Sequence, residues 1–130
     1  HPLAQGGSVD WRLAPQTELS RFSDQPFVRI YQRSTLFGLT EPLFEEAGFT
    51  PKVLFSTSSN MSKYRIVEAG LACALLPAIY AVPGGPVVYF RLPQQPRWLI
   101  TLCSRKDGWL GQPEQLFIAL CREYWREKTV

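Results

Sequence analysis

One stretch of the chain, Val53 to Pro77, constrains the fold more than any other. It opens with an apolar run, Val53–Phe55, and continues through five small polar residues into a helical pattern that stops at Gly70. A second apolar run follows and predicts a strand over Ala72–Leu76. Strand, polar turn, helix, glycine and strand in this order predict one βαβ unit.

The polar turn of this unit is the part that can carry function. It follows a strand and precedes a helix, and helix N-termini present unpaired backbone N–H groups and a partial positive charge. Hydroxyl side chains at such a position cap the helix or bind a ligand, and capping alone stays an alternative for Ser58, Ser59 or Asn60. Five consecutive small polar residues exceed what one cap requires. The candidate ligand-binding residues are Ser56, Thr57, Ser58, Ser59 and Asn60.

A second strand, turn and helix precede this unit. Phe27–Tyr31 is rich in β-forming residues, and the apolar spacing over Leu36–Ala47 predicts a helix that ends at Gly48. Pro42 lies inside that pattern, so the regular helix is expected to begin near Thr40. The turn between strand and helix is again polar. Its residues, also candidates for ligand binding, are Gln32, Arg33, Ser34 and Thr35.

The remaining pattern completes an α/β chain. Val87–Leu92 and Trp98–Cys103 predict strands, and an amphipathic helix is expected over 113–127. A short helix is expected near 77–81. Alternating strands and helices favour a largely parallel sheet flanked by helices, and the proline-flanked segment 93–96 predicts a boundary between lobes.

Charge and residue types argue against several functions. Fourteen basic and eleven acidic residues give a net charge of +3 without a basic run, so direct nucleic-acid binding by these residues is not expected. His1 is the single histidine, so neither a histidine-based triad nor a multi-histidine metal site can be built. Glu45 and Glu46 are neighbours on a helix and point in different directions, and Cys73 lies among apolar residues. We therefore expect no enzyme activity, no catalytic residue, no metal and no cofactor.

Cysteine usage indicates a reducing compartment. Cys73, Cys103 and Cys121 each lie in an apolar segment, and their odd number and wide spacing argue against disulfides and zinc. Buried free thiols and a cytoplasmic location are the expectation. No apolar run reaches membrane-spanning length, and no signal peptide is evident, so no membrane partner is expected.

An ordered set of short segments resembles the effector-binding domain of LysR-type transcriptional regulators. The set runs in register along nearly the whole chain. It comprises HPLA at the start, Gln25–Val28, Ala47–Pro51, Val67–Leu71 leading into Ala74–Pro77, and Arg97–Ile100 with Arg105–Asp107.

The resemblance implies a type 2 periplasmic-binding-protein-like fold, in which two α/β lobes joined by crossover strands hold a small molecule between them. Residues 1–14 would end the first crossover, 15–92 would form effector-binding lobe II, and 93–130 would return to lobe I as a strand and the C-terminal helix. Family effectors contact strand-to-helix turns that face the cleft, which correspond here to Gln32–Thr35 and Ser56–Asn60. Glu68 stands where the family often has a small residue, and it is expected on the exposed side of its helix.

The family's winged helix-turn-helix, linker helix and first half of lobe I have no counterpart in these residues. DNA would therefore be a partner only through a domain outside them, and half of the effector cleft would be present. The expected function is sensing of a small, carboxylate-bearing metabolite, and a stand-alone periplasmic-type solute-binding module is the alternative. The apolar side chains of Trp98, Phe117, Leu120 and Trp125 need a covering surface, either the remaining lobe in an arrangement unlike that of the family or a second copy of the chain, and we expect a homo-oligomer.

Overall fold

The computed structural model describes the backbone of residues 1–128 and the side chains of residues 1–126. The chain divides into two compact units, His1–Trp98 and Leu99–Val130. The α-helices and strands of the described residues are β1 (Pro26–Ile30), α1 (Thr35–Glu46), β2 (Lys52–Thr57), α2 (Asn60–Glu68) and α3 (Gln112–Lys128). Short 3₁₀ helices span Pro2–Ala4, Trp11–Leu13, Leu19–Phe22 and Ala78–Tyr80.

A small parallel sheet organises the first unit. β1 pairs with β2 so that Arg29 lies opposite Ser56 and Ile30 lies opposite Thr57. On its other edge β1 pairs with Cys73, whose N–H donates to the Pro26 carbonyl at 2.8 Å and whose carbonyl accepts from Val28 N–H at 2.9 Å. β2 and the Cys73 segment therefore flank β1, and α2 makes the crossover between them.

The core of this unit lies on β1. Leu19, Phe27, Leu43 and Phe44 form one buried cluster. The Phe27 and Phe44 rings meet edge to face with centroids 5.1 Å apart, and Phe49 packs against both rings. Apolar burial and aromatic packing thus hold α1 on β1.

Both helices of the first unit end where the glycines predict. Gly48 and Gly70 adopt φ values of 75° and 74°, a backbone conformation that glycine reaches without a Cβ penalty. Their N–H groups donate to the carbonyls of Glu45 and Val67. These two helix ends are confirmed.

The predicted start of α1 near Thr40 is wrong, because the helix begins at Thr35. The Ser34 side chain caps it by accepting from Leu36 N–H at 3.2 Å. Pro42 therefore lies inside the helix, where it removes one backbone hydrogen bond. Burial of Leu36 and two further apolar side chains, at about 1.5–3 kcal/mol each, offsets that loss.

Three predicted strands do not form as strands in the described residues. Ala72–Leu76 makes one bridge, through Cys73, and Val87–Leu92 makes isolated bridges through Tyr89 and Arg91. Trp98–Cys103 has no strand pairing. A strand needs a continuous neighbour, and the partners of 87–92 are irregular residues around Ser8 and Gln16.

Two predictions about single side chains also need correction. Cys103 is exposed, and Cys73 and Cys121 are half-buried, so the cysteines are free but not fully buried. Glu68 is half-buried rather than on the exposed side of α2, because its carboxylate pairs with Arg65 at 2.7 Å and accepts from the Tyr64 hydroxyl.

The second unit contains the predicted C-terminal helix as α3, Gln112–Lys128. Its apolar residues remain accessible, with Leu116, Phe117, Leu120 and Tyr124 all more than half exposed. Tyr124 and Trp125 pack edge to face within this helix.

Candidate functional site

A groove of about 530 Å³ opens at the carboxyl end of the sheet. β1 and β2 are parallel, so both strand-to-helix turns leave the sheet at the same edge. We call this feature the strand-end groove. Its lining residues are Arg29, Ile30, Tyr31, Gln32, Arg33, Phe37 and Ser56.

Three of the nine candidate residues line this groove: Gln32, Arg33 and Ser56. Gln32 and Arg33 come from the turn after β1, whereas Ser56 is near the end of β2. Arg33 is exposed, and it forms no ion pair within the described part of the chain. The two turns that the sequence singles out therefore contribute to one surface.

Three other candidates hold the turns in shape. Ser34 caps α1, and Ser59 caps α2 by accepting from Ser62 N–H at 3.2 Å. Thr57 Oγ1 accepts from Ser59 N–H at 3.1 Å. Ser59 therefore acts as a helix cap, which is the alternative that the sequence left open for this residue.

Removing a cap tests this division of roles. Ser34→Ala should lower the free energy of unfolding by about 1 kcal/mol, because Leu36 N–H loses its partner. Ser58→Ala is the matched control, since Ser58 is exposed and makes no side-chain hydrogen bond in the described structure. Urea unfolding of both variants measures the difference, and equal losses would contradict the capping role.

Thr35 faces a different partner. Its hydroxyl oxygen accepts a 3.2 Å hydrogen bond from the indole N–H of Trp98, which is distant in sequence and closes the first unit. A ligand that took this hydroxyl as an acceptor would compete with the indole.

Arg29 is a groove residue that the sequence reasoning missed. Its guanidinium pairs with the carboxylate of Glu41 and stacks over the Phe37 ring at 4.8 Å from the centroid. The available signal was a charged residue inside the otherwise apolar segment FVRIY. Because Glu41 already neutralises Arg29, Arg33 is the unpaired cation of the strand-end groove.

The start of α2 holds an unsatisfied polar atom and a buried lysine. Asn60 Oδ1 is fully enclosed and has no hydrogen-bond partner in the described structure. Lys63, three residues later, is only 2% exposed and forms no hydrogen bond or ion pair through its side chain there. Burial lowers the pKa of its ammonium to about 8. Sequence reasoning missed Lys63, although it lies beside Tyr64 on the side of the helix that meets the core.

The charge of this region favours anions. Neither α1 nor α2 carries an acidic residue in its first turn, so no neighbouring carboxylate on those turns offsets their positive ends. In the described residues, no group of three or more metal-ligating side chains occurs. The arrangement can therefore bind a small anion through N–H, hydroxyl and guanidinium donors.

A second groove, of about 460 Å³, lies within residues 99–130. Apolar side chains such as Leu102 and Phe117 form much of its wall. Its two charged lining residues, Glu114 and Arg122, have opposite signs, so this groove has no excess of positive charge. The strand-end groove is the better anion site.

Parallel strands followed by helix N-termini at one end of the sheet are typical of α/β domains that bind a small ligand at their strand ends. The family model described as the LysR substrate binding domain matches residues 1–126, and the chain belongs to this family. No curated protein and no solved structure matches the chain.

Membership of this family confirms the fold class predicted from the sequence, a type 2 periplasmic-binding-protein-like α/β fold. Domains of this family sense small ligands and belong to transcriptional regulators rather than to enzymes. No helix among residues 1–128 is both long enough and apolar enough to cross a membrane.

Proposed function

We propose that this chain senses a small carboxylate-bearing metabolite at the strand-end groove. The observation that carries the proposal is that the unpaired Arg33 lines one groove with Ser56, and that the helices which follow these two residues have no acidic residue in their first turns. A carboxylate accepts hydrogen bonds from backbone N–H groups and pairs with a guanidinium, so it matches all of these donors.

The remaining candidates have supporting roles in this proposal. Gln32 and Ser56 contact the ligand from the groove wall, while Ser34, Thr57 and Ser59 hold the turns. Thr35 exchanges its bond to Trp98 for one to the ligand, and Ser58 with Asn60 extends the contact surface along the start of α2.

The regulatory mechanism we propose is a population shift. A ligand that binds one arrangement of the effector-binding domain more tightly favours that arrangement, by the difference in its two affinities. Residues 15–92 act as lobe II, 1–14 end a crossover, and 93–130 belong to lobe I. A separate domain of this cytoplasmic regulator reads DNA. The regulator works as a homo-oligomer, and the accessible apolar side chains of α3 support this part of the proposal.

Thermal-shift measurements test the ligand class. Small carboxylates such as benzoate and succinate should raise the melting temperature of the 130-residue chain, and their neutral amides should not, because an amide lacks the charge. Equal stabilisation by an acid and its amide would contradict the proposal.

Groove variants test the position of the site. Arg33→Gln and Ser56→Ala should each weaken binding of the most stabilising acid about tenfold, since each removes a hydrogen bond to a charged group. Arg12→Gln is the matched control, because Arg12 is exposed and pairs with Asp10 outside the groove. Unchanged affinity in both groove variants would exclude this groove as the site.

A further inference from the structure

Apolar side chains form part of the wall of the strand-end groove. Ile30, Tyr31 and Phe37 all line it. Ile30 is buried and Phe37 is half-buried, whereas Tyr31 is 54% exposed. Covering these side chains with an apolar ligand group removes their surface from water and favours binding. A ligand that fits this groove therefore has an apolar part as well as its carboxylate.

Tyr31 presents its ring from a fixed backbone. Its N–H donates to the Thr57 carbonyl at 3.1 Å, and its carbonyl accepts from Ser34 N–H at 3.0 Å. The tyrosine side chain has two rotatable torsions, so it offers a large contact area and loses little conformational entropy when a ligand packs against it. Tyr31 is thus suited to hold the apolar part of a ligand.

The groove offers one unpaired positive charge. Of its two arginines, Arg29 pairs with Glu41, and its guanidinium lies 4.8 Å from the centre of the Phe37 ring. Arg33 is exposed and forms no ion pair in the described part of the chain. No acidic residue of that part lines the groove. One carboxylate therefore balances the charge of the groove, and a second one on the same ligand would lose hydration without gaining a counter-charge.

We propose that the strand-end groove selects aromatic monocarboxylates. The ligand's carboxylate pairs with Arg33, and its ring packs against Tyr31 and Phe37. Contacts between aromatic rings contribute more than the apolar area that they bury, because the faces and edges of the rings carry opposite partial charges. This inference rests on the proposed function, which it narrows from carboxylates in general to one class.

Three acids test the selectivity by calorimetric titration of the 130-residue chain. Cyclohexanecarboxylate has the same carbon skeleton as benzoate but no aromatic ring, and benzoate should bind about fivefold more tightly. Terephthalate adds a second carboxylate to benzoate. It should bind at least about threefold more weakly than benzoate, because the added charge has no partner in the groove.

Variants of Tyr31 assign the ring contact. Tyr31→Leu keeps an apolar side chain and should remove most of the preference for benzoate over cyclohexanecarboxylate, whereas Tyr31→Phe keeps the ring and should retain that preference. Phe55→Leu is the matched control, because Phe55 is similarly exposed, at 49%, but does not line the groove. Its preference should equal that of the unchanged chain.

The outcomes separate this inference from the proposed function. Equal affinity for benzoate and cyclohexanecarboxylate, terephthalate binding as tight as that of benzoate, or a preference that survives in Tyr31→Leu would overturn the selectivity. If the acids still bind in those cases and Arg33→Gln weakens them, the proposed function stands. Absence of binding by every acid would overturn both.

Discussion

Lys63→Met should raise the free energy of unfolding at pH 7 by about 3 kcal/mol, which would be an unusually large gain for one substitution. Burial lowers the pKa of Lys63 from 10.5 to about 8. This shift corresponds to the extra free energy that is needed to hold Lys63 charged in the folded protein rather than in the unfolded chain. Methionine keeps much of the chain length and removes the charge. Urea unfolding at pH 7 measures the gain.

The same shift sets the sign of the pH dependence. Between about pH 8 and 10.5 the unfolded chain holds a proton on Lys63 that the folded chain has released, so stability rises with pH in this window. Below about pH 8 the full free-energy cost of burying the charged Lys63 is present, and above about pH 10.5 this cost is absent. The advantage of Lys63→Met should therefore disappear as pH rises through this range.

A matched variant separates this effect from a general loss of positive charge. Lys52→Met removes an exposed ammonium and should change stability by no more than about 0.5 kcal/mol at any pH. Burial raises the pKa of the Tyr64 phenol and the Cys73 thiol, but their titrations are common to both proteins and cancel in the difference. A constant advantage of Lys63→Met across the pH range would contradict a buried, unpaired ammonium.

Phe27→Ala should lower the free energy of unfolding by about 3–5 kcal/mol, a large part of the stability of a small domain. Phe27 is 2% exposed, lies on the central strand and meets the rings of Phe44 and Phe49. Its truncation leaves a cavity between β1 and α1 that close-packed neighbours fill only in part. Urea unfolding followed by circular dichroism measures the loss.

The neighbouring strand supplies the control. Phe55 of β2 is 49% exposed, so Phe55→Ala should cost much less than Phe27→Ala. Phe27→Leu retains most of the apolar volume and should fall between them, which keeps the comparison usable if Phe27→Ala does not fold. A larger loss in Phe55→Ala than in Phe27→Leu would show that β1 is not the centre of the core.

Local sequence patterns predicted the elements whose signals are local. Helix periodicity together with Gly48 and Gly70 located the ends of α1 and α2, and β-forming residues located β1. Strand pairing depends on partners distant in the chain, so apolar runs such as Val87–Leu92 could not reveal that only isolated bridges form. The presence of Pro42 led to a predicted start of α1 that was too late, because burial of the α1 core face outweighs the hydrogen bond that proline removes.

The candidate site likewise has features that local sequence predicts and features that depend on tertiary packing. Polar turns after two parallel strands could be predicted to meet, and Gln32, Arg33 and Ser56 line one groove. The pairing of Arg29 with Glu41 could not be predicted from the sequence, because it depends on how α1 packs over β1. Burial of Lys63 is likewise a tertiary property, since its place in the sequence is equally suited to a solvated face.

A crystal structure of the 130-residue chain with its most stabilising small carboxylate tests the central claim most directly. We expect the acid in the strand-end groove, with its carboxylate within hydrogen-bond distance of the first turns of α1 or α2. An acid bound instead against the apolar wall formed by Leu102 and Phe117, with the strand-end groove empty, would contradict it.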